Sequence, residues 1–174
     1  MACSLSLTGR QFPCAKAVGG LKKIYFAAFV EGGLSVSGGV ISGGTWYGYD
    51  LRGASSVETA INGSRENNSI FYTQTVNIQL PVLDSATQDE IKLLAAARPH
   101  IIVEDYNGQQ MVVGIENGAD LTGGTLATGA NMGDYSGFTL TFEALEKEPP
   151  AFLTTAVTDS AGVGVITPVV TPAS

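Results

Sequence analysis

The side chains able to do chemistry are few in this chain and badly spaced for it. His100 is the only histidine, and it follows Pro99 directly at the head of an apolar run, which suits a structural role. A serine-based relay would have to use it, and no G-x-S-x-G nucleophile turn is present. Glu104 and Asp105 are adjacent in a strand-like segment, so they point to opposite faces and do not form an acid–base pair. Glycine pairs at 32–33, 38–39, 43–44 and 123–124 fit neither the dinucleotide fingerprint nor the phosphate loop, which needs a lysine after its second glycine. Glu116, Asp120 and Asp134 are the carboxylates that a fold could gather round a cation, but they lack the loop spacing of a calcium hand. Cys3 and Cys14 have neither the spacing nor the nearby histidine of a metal site and read as two buried thiols. Trp46, Tyr47 and Tyr49 are the rings available for stacking on a ligand, with a core or interface role the simpler one. The expectation is therefore no enzyme, no catalytic or cofactor-binding residue, no metal and no cofactor.

What must position these residues is mostly β. The clearest period runs from Gln74 to Leu80, where Val76, Ile78 and Leu80 alternate with Thr75, Asn77 and Gln79. With Thr73 added, the odd positions form one wetted face, available either to bulk solvent or to a channel. Leu21–Glu31 is apolar on both faces from Ile24 to Val30 and so needs a cover on each side, one of which a partner subunit could supply. Strands are also expected at 45–52, 56–62, 69–80, 100–106, 110–116 and 135–147, with Asn107-Gly108 as a hairpin turn. One helix is expected at about 85–98. Asp84 or Ser85 can cap it, Ser85 and Gln88 match a capping box, Asp89 and Glu90 fall in the first turn, and Pro99 ends it. Ile91, Leu94, Ala95 and Arg98 give it one face to lean on a sheet. The fold class is thus mainly β, a sandwich or barrel of two antiparallel sheets, with one flanking helix.

Two stretches resist this reading. Residues 32–44 hold six glycines with Leu34, Val36, Val40 and Ile41 between them, an extended arm whose apolar side chains need a surface to cover, expected on a neighbouring subunit. Residues 121–133 are a second glycine-rich stretch. After Pro149-Pro150 the composition turns simple, with Asp159 as the one charge in 154–174; such a segment cannot make a core by itself. A domain at 1–153 and an extension at 154–174 held by neighbouring subunits is the expected division.

Composition limits the partners. The chain has 174 residues, enough for one domain. Charged residues are 14% against the ~25% usual in globular chains, and 22 glycines go with them. The net charge of −7 argues against a nucleic-acid-binding surface, which would carry a basic patch. Neither a secretory signal nor an apolar run long enough to span a membrane is visible, so synthesis in the cytoplasm without membrane attachment is expected. Few charges, many glycines and apolar arms are the needs of a subunit that assembles with copies of itself.

Four segments point further: GGLKKIYF (19–26), SRENNSIFYTQTVNIQLPVLDSATQDEIKLLA (64–95), RPHIIVEDYNGQ (98–109) and GADLTGGTLATGANMGDYSGFTLTFEALEKEPPAF (118–152). Over roughly 20–152 the chain resembles the tail-tube proteins of tailed phages and related injection machines. The resemblance implies a virion protein that forms hexameric rings stacked into a hollow conduit for DNA ejection. In such proteins the inner sheets merge into one barrel around the lumen, the lone helix lies outside, and a hairpin arm and the termini bridge rings. It would place Thr73, Thr75, Asn77 and Gln79 on the lumen, Leu34, Val36, Val40 and Ile41 on the arm, and 154–174 between rings. The implied partners are copies of itself, other tail proteins, including a sheath where one surrounds the tube, and DNA that passes without specific binding. The long C-terminal extension departs from that pattern and leaves open a place elsewhere in the virion, in neck, baseplate or head. A small ligand-binding β domain, with Trp46 or Tyr47 as its stacking ring, is the reading from a different class.

Overall fold

Leu21–Ala27 (β1) is buried on both faces, and the fold follows from how each face is covered. A computed structural model describes residues 7–11, 17–157 and 165–166. It is mainly β with one helix, α1 at Ser85–Ala96. β1 lies inside a six-stranded sheet, between Trp46–Asp50 (β4) and His100–Asp105 (β7). Gln110–Val113 (β8) and Ala151–Leu153 (β11) extend that sheet on one side and Val165–Ile166 (β12) on the other. A four-stranded sheet is built from Ser56–Ser64 (β5), Ser69–Pro81 (β6), Gly137–Glu146 (β10) and Asp120–Ala127 (β9), in the order β5-β6-β10-β9. Every described pairing in both sheets is antiparallel.

The two sheets enclose the main core. Ile24, Phe26, Ile101, Val103 and Val113 from one meet Val76, Ile78, Leu80, Phe138, Leu140 and Phe142 from the other. Phe26 touches both Tyr49 and Phe142, with ring centroids 5.7 Å and 5.3 Å apart. The alternation in β6 and β10 makes this possible, because each strand puts every second side chain inside.

The second face of β1 is covered by the chain itself, not by a partner subunit as the sequence suggested. Ser35–Ser37 (β2) and Val40–Ser42 (β3) form a small hairpin, joined by Gly38-Gly39 with φ of 61° and 79°. Positive φ at both turn positions twists the hairpin as its strands require, and glycine adopts it without a Cβ clash. The hairpin lays Leu34 and Ile41 on Tyr25, Ala27, Trp46, Ile102 and Val112, where Leu153 and Val157 join them in a second core. The predicted inter-subunit arm is therefore corrected: Leu34 and Ile41 are buried in their own chain, Val36 is half-buried against the same core, and Val40 alone of the four is exposed. Apolar side chains between glycines settled on the nearest greasy surface, which was local.

The predicted domain boundary also moves. Ala151–Leu153 resumes pairing directly after Pro149-Pro150, and Thr154 N donates to Gly39 O at 2.8 Å. Val157 is buried, and Val165–Ile166 pairs with β4. Residues 154–157 and 165–166 are thus held by the chain's own body; the rest of the expected 154–174 extension lies outside the described residues, as do Cys3 and Cys14.

The helix is shorter than 85–98, and of the two candidate caps it uses the first. Asp84 is the N-cap, accepting from Ala86 N and from the Thr87 hydroxyl, so the Ser85 capping box does not form and Asp89 and Glu90 fall past the first turn. Of the predicted stripe, Ile91 and Leu94 are half-buried against the main core, while Ala95 and Arg98 are exposed.

Candidate functional site

The outer face of the four-stranded sheet carries the polar side chains singled out from sequence. Thr73, Thr75, Asn77 and Gln79 of β6 all point away from the core and are half-buried among their neighbours. The register sets Ala60, Glu58 and Ser56 of β5 against Thr73, Thr75 and Asn77, and sets Glu143, Thr141 and Thr139 of β10 against Thr75, Asn77 and Gln79. Side chains directly opposite in a ladder share a face. The face is knitted laterally: Asn62 Nδ2 donates to Thr73 Oγ1 at 2.9 Å, and Thr141 Oγ1 donates to Asn77 Oδ1 at 2.8 Å.

The charge on this sheet is one-sided. Its four strands contain Glu58, Asp120, Glu143 and Glu146 and neither a lysine nor an arginine. Glu146 turns inward, accepting from Glu116 N and Asn117 N; burial holds its carboxyl above the ordinary carboxylate value, opposed by those two donors. Asp120 is met at the rim by Arg98, 3.0 Å away. What remains outward is mostly serine, threonine, asparagine, glutamine and carboxylate, interrupted by Phe71 and by Leu145 opposite Thr73, which are 44% and 52% exposed.

The two edges of this sheet differ from those of its partner. β5 and β9 form its edges, nine and eight residues long, and each pairs on one side only among the described residues. The six-stranded sheet ends in β11 and β12, three and two residues long. Short edges resist further pairing, whereas long open ones invite it. Sequence reasoning left 121–133 as a glycine-rich stretch and so missed β9. Its apolar–polar alternation is broken by Gly123-Gly124 and by an irregular register opposite Thr141 and Phe142. Gly124 is there because a Cβ would come within 3.0 Å of Leu140 Cδ2 and 3.3 Å of Thr139 O.

The other candidates do not converge. Glu116 pairs with Lys147, Asp120 with Arg98, and Asp134 accepts from Ala130 N and Asn131 N, which lowers its pKa. Among the described residues, no group of three or more His, Cys, Asp or Glu is placed to hold a metal ion. His100 is buried against Phe29, with Nδ1 2.6 Å from Gly114 O. Glu104 receives Gln110 Nε2 at 2.9 Å, while Asp105 braces the hairpin turn through Asn107 N and Gln109 N. Trp46 is wholly buried with its ring nitrogen donating to Gly43 O, so it cannot be the stacking ring of a ligand site. Tyr47 is about half exposed on the opposite face of β4, where it lines a groove beside α1. No helix of the described residues is long and apolar enough to cross a membrane.

Comparison with protein-family models, curated proteins and solved structures finds no match to this chain.

Proposed function

We propose that this chain is a structural subunit of a phage tail tube, assembling with copies of itself into rings that stack around a channel for DNA. The observation that carries the reading is the four-stranded sheet: two long edges, open among the described residues, flank a largely polar outer face whose strands carry no cationic side chain. Its strands alternate in direction, and their number is even. When the β9 edge of one copy meets the β5 edge of the next in a ring, the joint is therefore antiparallel too, and the alternation continues round a closed barrel. Closure removes the open edges.

The face turned to the lumen then carries Thr73, Thr75, Asn77 and Gln79, together with Glu58, Glu143 and the apolar Leu145 opposite Thr73. DNA binds proteins chiefly through phosphate contacts to lysine and arginine, which release condensed counterions. A wall of neutral and acidic groups offers no such contact, and a polyanion slides past it. The partners proposed are copies of this chain, other tail proteins and passing DNA, in the virion.

Negative-stain electron microscopy and light scattering of the purified full chain test this. Rings or tubes with a stain-filled centre are expected as concentration rises. A protein that remains monomeric at millimolar concentration would refute it, and closed particles without a channel would favour another place in the virion.

A further inference from the structure

α1 and the six-stranded sheet leave a groove between them, and each side gives it a regular stripe of residues. Glu90, Leu93 and Leu94 line it from the helix, where spacings of three and four residues share one side. Tyr47 and Tyr49 line it from β4, two residues apart and so on one face of the strand. Phe26 of β1, directly opposite Tyr47 in the ladder, shares that face. The volume is about 380 Å³, within the roughly 300–1,000 Å³ of small-molecule sites. Leu93 and Tyr47 are 71% and 48% exposed, so the groove is open to entry.

Its walls are held before anything enters. The Tyr49 ring packs edge-on against Phe26, with centroids 5.7 Å apart, and its hydroxyl donates to Glu90 Oε2. Burial and that carboxylate raise the Tyr49 pKa, so the hydroxyl keeps its proton and its donor role. Glu90 is the one charged residue of the lining, and its Oε1 accepts from no described residue. A carboxylate has about four acceptor positions. The Tyr49 bond therefore fixes Glu90 in place and leaves it acceptors to offer. Lys92, the one cation of α1, is taken up by Asp89 at 2.9 Å.

We propose that this groove binds a small aromatic amine in its cationic form, with the ammonium on Glu90 Oε1 and the ring against Tyr47 and Tyr49. Charge complementarity chooses the sign: the lining holds one carboxylate and neither a lysine nor an arginine, so it matches a cation and repels an anion. The walls choose the rest. Tyrosine faces attract a cation and stack on another ring. A neutral apolar guest would cover the carboxylate without bonding it, which costs free energy. An ammonium replaces that cost by a charge-assisted bond. The sequence offered Tyr47 as a stacking ring; the fold sets the counter-charge beside it, from a helix distant in the chain. The proposal is independent of the tube reading, which concerns the polar face of the other sheet.

A ligand-observed NMR titration of the full chain tests this with three probes that share one indole ring: tryptamine, a cation; tryptophol, neutral; and indolepropionate, an anion. Wild type is expected to bind tryptamine roughly tenfold more tightly than tryptophol, the worth of one hydrogen bond to a charged group, and not to bind indolepropionate. Glu90→Gln should bind tryptamine and tryptophol alike. Tyr47→Ala should weaken tryptamine roughly threefold, and Tyr47→Phe, which keeps the ring, should bind it as wild type does. Both positions are exposed, and circular dichroism checks that each variant folds. Equal binding of tryptamine and tryptophol by wild type overturns the proposal. So does a preference for tryptamine that survives in Glu90→Gln, since the amine then sits elsewhere. A wild type that binds none of the three overturns it too, and leaves the groove to a protein segment.

Discussion

Gln110 and Val157 are bonded to each other twice: Val157 N donates to Gln110 Oε1 at 2.7 Å, and Gln110 Nε2 donates to Val157 O at 2.8 Å. The amide of Gln110 thus imitates one rung of a ladder and fastens the chain's C-terminal segment across the six-stranded sheet. Both residues are buried, 2% and 6% exposed. Nε2 also donates to Glu104 Oε2 at 2.9 Å, so every polar atom of the side chain is used.

Replacing Gln110 by Ala leaves the amide and carbonyl of Val157 buried without partners. Each such group costs about 1–3 kcal/mol, and the segment can escape part of that cost by lifting off. The expected outcome is a loss of about 2 kcal/mol in urea unfolding, together with protease cleavage near residues 154–157 that the wild type resists. A variant as stable and as resistant as wild type would show that the clamp does not hold the segment.

Glu146 governs a pH dependence whose sign is set by burial. Its folded pKa lies above the ordinary value of 4.5, because the buried carboxylate is poorly solvated. The folded state therefore holds the proton more tightly than the unfolded state. This contribution to stability is fully present below pH 4.5 and is lost as pH rises through the folded value. Glu146→Gln keeps an oxygen to accept from Glu116 N and Asn117 N and removes the ionisation. Urea midpoints measured from pH 4 upward, in roughly half-unit steps, should fall less steeply for the variant than for wild type.

Gly39 serves two purposes at once. Its φ is 79°, and a Cβ there would stand 2.6 Å from Thr154 Oγ1 and 2.9 Å from Thr154 N. Gly39→Ala therefore strains the turn and pushes away the strand that the hairpin holds. A destabilisation of more than about 1 kcal/mol is expected, with faster hydrogen exchange at Thr154 N, which donates to Gly39 O. Gly108→Ala at φ 80° has nothing within 4 Å of the new Cβ and should cost less, which separates the clash from the backbone strain.

The lack of lysine and arginine in the four strands makes a prediction about DNA. Thr75→Lys with Asn77→Lys adds two charges to the outer face without touching the core, since both positions point outward. Fluorescence anisotropy with a short DNA duplex should show little binding for wild type. The variant should bind measurably at low salt and lose that binding as salt rises, with a slope near −0.9 per phosphate neutralised. Equal binding by both proteins would remove electrostatics from the account of this face.

Local pattern carried much of this fold. The two-residue period of β6 and β10 determined which side chains go inward, because a strand alternates faces wherever it is placed. Pro81, Asp84 and Pro99 bounded the helix, and Asn107-Gly108 announced its hairpin, for reasons internal to a few residues each. Even the double-sided burial of β1 was legible, since Ile24 to Val30 has no wet face. What covers the second side of β1 was not legible. Leu34, Ile41, Leu153 and Val157 reach it from segments with glycine-rich or low-complexity sequence, where periodicity is silent and the destination depends on which apolar surface is nearest in space. β9 was hidden for a related reason: Gly124 sits in a strand where Leu140 of the neighbouring strand crowds its Cβ position, a pressure that exists only once the strands are side by side, while nothing in the structure crowds Gly123. The polar face of β6 was determined by the chain's own alternation; that Glu58 and Glu143 flank it, and that the sheet's edges stand open among the described residues, was decided by the strand order of the folded sheet.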